Sequence, residues 1–358
     1  MPRVYLTFHY FNSSNLYKVN QRLSIVVAIF ILFSSCNENA PEKEPTPAVS
    51  STKHPEPVIF DSDMGPDYDD VGAITMLHAF ADEGAATILA TIASTKYQGV
   101  AEVFDVFNTY FNRPDIPVGV PVQQASVLRD NQHWSDSVRK NYPHSIKNNS
   151  DAEDAVELYR KILVAQPDTS VTIITVGFLT NISNLLKSPP DKYSTLNGKD
   201  LVSKKVKKLV SMAGRFPEGS EFNIKIDAPA SQFAYENCTR PVVFSGFEIG
   251  EKIKTGIPLI SNSSIRNSPV KDVFRICIPM AKEDSAGRMS WDETAVLVGV
   301  KGYVPYYTLN EGMITIDNEG YNKWDSSNRK HAHLVAKSSP GEVQELINRL
   351  IMHQPTKK

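Results

Sequence analysis

Five carboxylates fall within ten residues, directly behind a short apolar run, and that juxtaposition narrows the folds open to this chain. Val58-Ile59-Phe60 reads as a buried strand, and Asp61-Ser62-Asp63-Met64-Gly65-Pro66-Asp67-Tyr68-Asp69-Asp70 follows at once. Two carboxylates about 5 Å apart repel by roughly 3 kcal/mol at an effective dielectric near 20. The N-terminus of a following helix offsets only a fraction of this per charge. A bound hard cation offsets far more, and oxygen ligands with no Cys or His pair nearby favour Ca2+ or Mg2+ over zinc. A solvated acidic loop, with Asp67 or Asp69 as a helix cap, is the plainer alternative. The position immediately behind a buried strand argues against it, because ligands of open α/β sheets sit at the carboxyl ends of strands. An EF-hand loop does not fit: no glutamate stands at its twelfth position and residues 71–73 are apolar.

The rest of the chain alternates in the same style. Helices are predicted over 71–80, 100–111, 152–165, 295–300 and 343–351, from apolar residues recurring at helical spacing. Strands are predicted over 85–93, 118–122, 170–176, 209–213 and 242–244. Such alternation predicts an α/β fold: a single domain over 57–354, with a mostly parallel central sheet flanked by helices. The 358 residues are 41% apolar and 22% charged, which excludes a mainly disordered chain and a polytopic membrane protein. A formal charge of −2 gives no basic face for a nucleic-acid polymer.

Several segments, in order, resemble the inosine-uridine-preferring nucleoside hydrolase family. The aspartate run Asp61 to Asp70 is similar to its opening motif, in the variant with extra residues between the glycine and the final Asp pair. Val176-Gly177-Phe178-Leu179-Thr180-Asn181 resembles its Gly-Gly-Leu-Thr-Asn segment, and Met212-Ala213-Gly214 its Met-Gly-Gly. Glu221-Phe222-Asn223, followed by Asp227, resembles its Glu-Phe-Asn…Asp, and Trp291-Asp292 stands where the family has a late His-Asp pair. The resemblance covers roughly 57–350 and implies a nucleoside hydrolase-like fold with a Ca2+ cofactor. It implies Asp63, Asp70 and Asp292 as metal ligands, with the backbone carbonyl of Val176. It implies Asp69 as general base and Glu221 and Asn223 as holders of the ribose hydroxyls, with Met212 in the same pocket. Asp61 and Asp227 are implied as residues that orient backbone and neighbouring groups. The implied reaction is calcium-dependent hydrolysis of the N-glycosidic bond of ribonucleosides, or related N-ribosides, to ribose and free base. The implied role is purine or pyrimidine salvage, and a homo-oligomer is one implied assembly.

That chemistry suits carboxylates, which stabilise an oxocarbenium-like sugar and take a proton from an attacking water. The chain departs from the family on the leaving-group side. Trp291 replaces the histidine assigned in many members as the acid; an indole stacks on a base but cannot protonate it. Substitutes are His133, His144, Tyr97 and Arg288, the last as a cation for an anionic leaving group; surface loop histidines and a surface ion pair are the plainer readings. Two other functions compete. A non-catalytic or altered-specificity sugar- or nucleoside-binding lipoprotein would keep the metal site without turnover. A haloacid-dehalogenase-type phosphatase also places Asp-x-Asp behind a strand, but leaves Glu221-Phe222-Asn223 and Trp291-Asp292 unexplained.

The N-terminal residues carry a different message. Residues 23–33 are apolar, follow Arg3, Lys18 and Arg22, and precede any acid. Eleven residues are short of the ~20 that span a bilayer and match the apolar region of an export signal. Ser34-Ser35-Cys36 resembles the lipobox of bacterial lipoproteins. The expectation is a signal peptide at 1–35, a lipid-anchored Cys36 on the periplasmic or cell-surface side, and a Pro-rich disordered tether at 36–56. Cys238 and Cys277 are then expected as buried free thiols.

Overall fold

The computed structural model of the chain describes residues 54–356. The signal segment 1–35, Cys36 and nearly all of the tether 36–56 lie outside the described residues. The strands are β1 (Glu56–Ser62), β2 (Ala86–Ala93), β3 (Val118–Val120), β4 (Glu153–Asp154), β5 (Val171–Thr175), β6 (Val206–Met212), β7 (Glu218–Ser220), β8 (Val242–Ser245), β9 (Lys254–Thr255), β10 (Arg288–Met289), β11 (Tyr307–Ile316), β12 (Tyr321–Asp325) and β13 (His331–Ala336). One sheet runs β4-β3-β2-β1-β5-β6-β8-β13-β11-β12-β7, and β9 pairs with β10 apart from it. Every pairing from β4 to β13 is parallel. The β11, β12 and β7 edge is antiparallel. The fold is α/β, with a mostly parallel mixed sheet flanked by helices.

Side-chain alternation along the strands explains why both faces are covered. In β1, Val58 and Phe60 join one apolar cluster and Ile59 the other; in β5, Ile174 and Ile173 divide in the same way. A parallel strand buried on both faces is therefore a continuous apolar run in the sequence. Helices Asp69–Asp82, Val100–Tyr110, Trp291–Lys301 and Pro340–Ile351 supply residues to the first cluster, and Ala155–Ala165 and Thr180–Lys187 to the second.

Differences from the sequence expectation have local causes. The helix expected from 152 begins at Ala155, because the Asp154 carboxylate caps it, accepting from Val156 N–H and Glu157 N–H at 3.0 Å each. The strand expected over 118–122 stops at Val120, and that expected from 209 already begins at Val206. Strands β4, β7, β9, β10, β11, β12 and β13 were not anticipated. In β11 the central Asn310 and Glu311 break the apolar pattern, and β13 buries His331 and His333. Cys238 and Cys277 are buried free thiols, as expected.

Strand register sets up the site. Asp61 is level with Thr175, and Thr175 with Ser211. Just beyond these positions, Asp63, Val176 and Met212 therefore emerge together at the carboxyl edge. The turn after β5 passes so close to the turn after β1 that a Cβ on Gly177 would stand 2.4 Å from both the Asp63 nitrogen and the Ser94 Oγ. Gly177→Ala is predicted to lower stability by about 1–3 kcal/mol through overpacking. Chemical denaturation measures this, and an unchanged midpoint would show that the turn has room to spare.

Candidate active site

The turn after β1 is held from several sides. Met64 at its tip has φ 42°. Its N–H donates to Ser62 Oγ at 3.0 Å and to Asp70 Oδ1 at 3.2 Å, and its carbonyl accepts from Tyr97 Oη at 2.8 Å. Ser62 Oγ donates to the same Asp70 oxygen, and the Asp63 carbonyl accepts from Thr95 Oγ1 at 3.0 Å. Asp61 points back into the protein, where Tyr159 Oη and Asn181 Nδ2 donate to its Oδ2 at 2.8 and 3.0 Å. Burial pushes its pKa up to about 7 despite both bonds.

Asp69 and Asp70 occupy the first turn of helix Asp69–Asp82, and Asp292 the first turn of helix Trp291–Lys301. Both helix N-termini favour negative charge. They are joined by Asp292 N–H, which donates to Asp69 Oδ2 at 3.3 Å. Arg288 binds the other oxygen, Nε and Nη2 donating to Asp69 Oδ1 at 3.1 and 3.0 Å. Asp63, Asp70 and Asp292 are buried, and none of them pairs with Arg288. Burial first, then the charges of their neighbours, pushes the pKa of Asp63 and Asp292 well above the carboxylate range. The same causes bring Asp70 to about 7. Glu293 beside them is fully buried, and neither carboxyl oxygen has a hydrogen-bond partner.

Glu221 caps the short helix Phe222–Ile226. Its carboxylate accepts from Asn223 N–H at 2.8 Å and from Gly214 N–H and Ile224 N–H at 3.2 Å each. Asn223 then reaches across the sheet edge, its Nδ2 donating to the carbonyls of Val176 and Met212 at 3.1 Å each. Asp227 caps the next helix at Ala230 N–H and accepts from Thr180 Oγ1.

Asp63, Asp69, Asp70, Val176, Met212, Glu221, Asn223, Trp291 and Asp292 line one cleft, together with Asp67, Phe222 and Phe247. Every residue singled out in the sequence for catalysis, substrate or metal is therefore in it. The four substitute acids are not. His133 is exposed against Asp136, and His144 Nδ1 bonds the Tyr142 carbonyl. Tyr97 is buried on Met64, and Arg288 is enclosed by Asp67, Asp69 and Asp284. Phe247, just after β8, also lines the cleft, and nothing in its local sequence marks it as a site residue. Phe222, between Glu221 and Asn223, adds its ring to the same lining.

Among the described residues, no three His, Cys, Asp or Glu side chains are already arranged as a metal cage. The donor chemistry nonetheless suits a hard dication. Three buried carboxylates repel one another without a paired cation, and the Val176 carbonyl keeps a second lone pair beside the Asn223 bond.

The sequence profile described as "Inosine-uridine preferring nucleoside hydrolase" matches residues 58–339. A pyrimidine-specific ribonucleoside hydrolase, RihA of Escherichia coli (strain SMS-3-5 / SECEC), is 26% identical over 229 residues, 61% of this chain and 68% of the relative. The inosine-uridine preferring nucleoside hydrolase of Bacillus anthracis superposes with a TM-score of 0.64 at 13% identity, covering 83% of this chain and 99% of that one. The type III effector protein XopQ, solved with adenosine diphosphate ribose, superposes with a TM-score of 0.62 at 15% identity, covering 83% and 94%. With its motifs collected in one cleft at the carboxyl edge of the sheet, this chain belongs to the inosine-uridine preferring nucleoside hydrolase family.

Proposed function

We propose that the cleft hydrolyses the N-glycosidic bond of ribonucleosides, or related N-ribosides, to ribose and free base. The observation that carries this reading is the convergence of residues from five separate segments on one acidic cleft. Asp63, Asp70, Asp292 and the Val176 carbonyl would hold Ca2+. When bound, the ion would supply positive charge that gathers sugar hydroxyls and makes a neighbouring water more acidic. Glu221 is fixed by three backbone donors and Asn223 by two carbonyl acceptors, so both meet a ribose pre-oriented. Asp69 Oδ1 is occupied by Arg288, so Oδ2, which takes only the long bond from Asp292, is the oxygen left to accept a proton. Trp291 would stack on the leaving base.

A second reading, binding without turnover, is favoured by one observation. Trp291 Nε1 already donates to the Phe247 carbonyl at 2.9 Å, so the residue at the usual acid position offers the base no proton. The XopQ complex shows this fold holding a riboside that is not a simple nucleoside. Release of reducing sugar from a panel of ribonucleosides separates the readings. Hydrolysis predicts turnover that is lost on chelation, and a kcat about 100-fold lower or worse in Asp69→Asn. Tight ribose binding with no N-glycoside turned over would sink the enzyme.

The raised carboxylates set a pH dependence. Their folded pKa values lie above those of the unfolded chain, so the folded metal-free protein holds more protons. Its stability is therefore full at low pH and falls as pH rises from the ordinary carboxylate range through about 7, the value for Asp70. Ca2+ must displace those protons, so its affinity rises over the same window. Calorimetric melting with and without Ca2+ is predicted to show a stabilisation that grows between pH 5 and pH 8. A pH-independent shift would contradict the ligand set.

Export and lipid attachment at Cys36 belong to the same proposal and rest on the sequence of residues 23–36. Metabolic labelling with a fatty acid is predicted to mark the protein and to fail in Cys36→Ser; unlabelled wild-type protein would refute the anchor.

A further inference from the structure

Two aromatic residues that line the cleft, Trp291 and Phe247, meet at a 36° tilt, and each has a guanidinium over its ring. Arg288 Cζ lies 5.0 Å from the Trp291 ring centroid, the Trp291 and Phe247 rings are 4.9 Å apart, and Arg215 Cζ sits 3.8 Å over Phe247. The two cations are not equivalent. Arg288 is buried and neutralised, with Asp67 Oδ1 at 2.8 Å, Asp69 Oδ1 at 3.0 Å and Asp284 Oδ2 at 3.8 Å.

Arg215 is half-buried, three residues after Met212 and six before Glu221, both of which line the cleft. Its backbone is fixed: its N–H donates to Asn322 Oδ1 at 2.9 Å, and its carbonyl accepts from Asn322 Nδ2 at 2.8 Å. Its side chain runs across Gly219, where a Cβ would stand 2.4 Å from Arg215 Cδ. Among the described residues, its guanidinium has neither a hydrogen bond nor an ion pair. The acid on the adjoining turn, Glu248, accepts from Phe216 N–H at 3.1 Å and is close enough to feel the Arg215 charge, but makes no hydrogen bond to it. One face of the guanidinium thus rests on an aromatic ring, and its fork of N–H donors is left for an outside acceptor.

The cleft thus has carboxylates and aromatic rings in its lining, and a guanidinium without a hydrogen bond lies against one of those rings, Phe247. A neutral nucleoside makes no use of that charge. We propose that Arg215 receives an anionic oxygen group on the substrate, either a 5′-phosphate or a carboxylate on the base, and that anionic ribosides are favoured over their neutral counterparts. A guanidinium fork suits both groups by paired N–H···O bonds. This inference rests on the reading of the cleft as an N-riboside site.

The test uses the full chain with Ca2+. Inosine is compared with inosine 5′-monophosphate, and uridine with orotidine, in wild type, Arg215→Gln and Arg215→Lys. The wild type is expected to favour at least one anionic partner by about tenfold or more in kcat/KM. Arg215→Gln should bring that ratio towards one, chiefly through KM, and Arg215→Lys should restore part of it. The phosphate and carboxylate arms show which group is bound. A wild-type ratio at or below one for both pairs, or a ratio unchanged in Arg215→Gln, overturns the proposal. Calorimetric binding to Asp69→Asn protein separates this idea from hydrolysis itself. Tighter binding of the anionic ligand with no turnover in wild type would end the hydrolase reading and keep this one. Turnover of neutral nucleosides with no anion preference would do the reverse.

Discussion

Repulsion among buried carboxylates is the constraint around which the rest of this molecule is arranged. Asp63, Asp69, Asp70 and Asp292 crowd one cleft, and Glu293 lies buried behind them. At an effective dielectric near 20, each pair at about 5 Å costs roughly 3 kcal/mol when both are ionised. Two helix N-termini return about 0.3–1 kcal/mol per charge, which is too little. Arg288 meets Asp69 and Asp67 but none of the other three. The remaining charge is met by protons in the bare protein, which is why these groups sit above the ordinary carboxylate range. The geometry persists because it is fixed elsewhere: by strand register, by the hydrogen bonds of Met64 and Ser62, and by the contact between the two helix ends.

The opposite wall has the reverse character. Phe222, Phe247 and Trp291 bring aromatic surface, and no titratable group among the four proposed as substitute acids reaches the cleft. A bond-breaking site of this kind separates its tasks in space. On the proposed reading, the floor would meet the sugar, where positive charge develops, and the wall the base, where negative charge departs. With the Trp291 N–H held by Phe247, that proposal would leave stabilisation of a departing base to stacking and to whatever charge the substrate itself brings.

Much of this was legible in the sequence, for a physical reason. Parallel strands buried on both faces leave continuous apolar runs, so β1, β2, β5, β6 and β8 could be read directly, and the polar residues behind them mark the carboxyl edge. The edge strands were not legible. β11 carries Asn310 and Glu311 at exposed positions, and its partner β12 exposes alternate residues, so neither forms an apolar run. The succession of two guanidinium groups and two rings was hidden for another reason. Residues 215, 247, 288 and 291 come from three distant segments, and nothing local announces that they meet.

Arg288 shows how position in the sequence and position in space can suggest opposite roles. Three residues before Trp291, it looked like a cation for an anionic leaving group. In the fold, three carboxylates surround it, and its charge is answered before any substrate arrives. A guanidinium so neutralised contributes little field at the base. What it does contribute is geometry: it fixes Asp69 Oδ1 and turns Oδ2 towards Asp292, while its plane backs the Trp291 ring. Removing it would leave Asp69 buried without a counter-charge among acids already in excess, and the cost would be felt first in the orientation of that carboxylate.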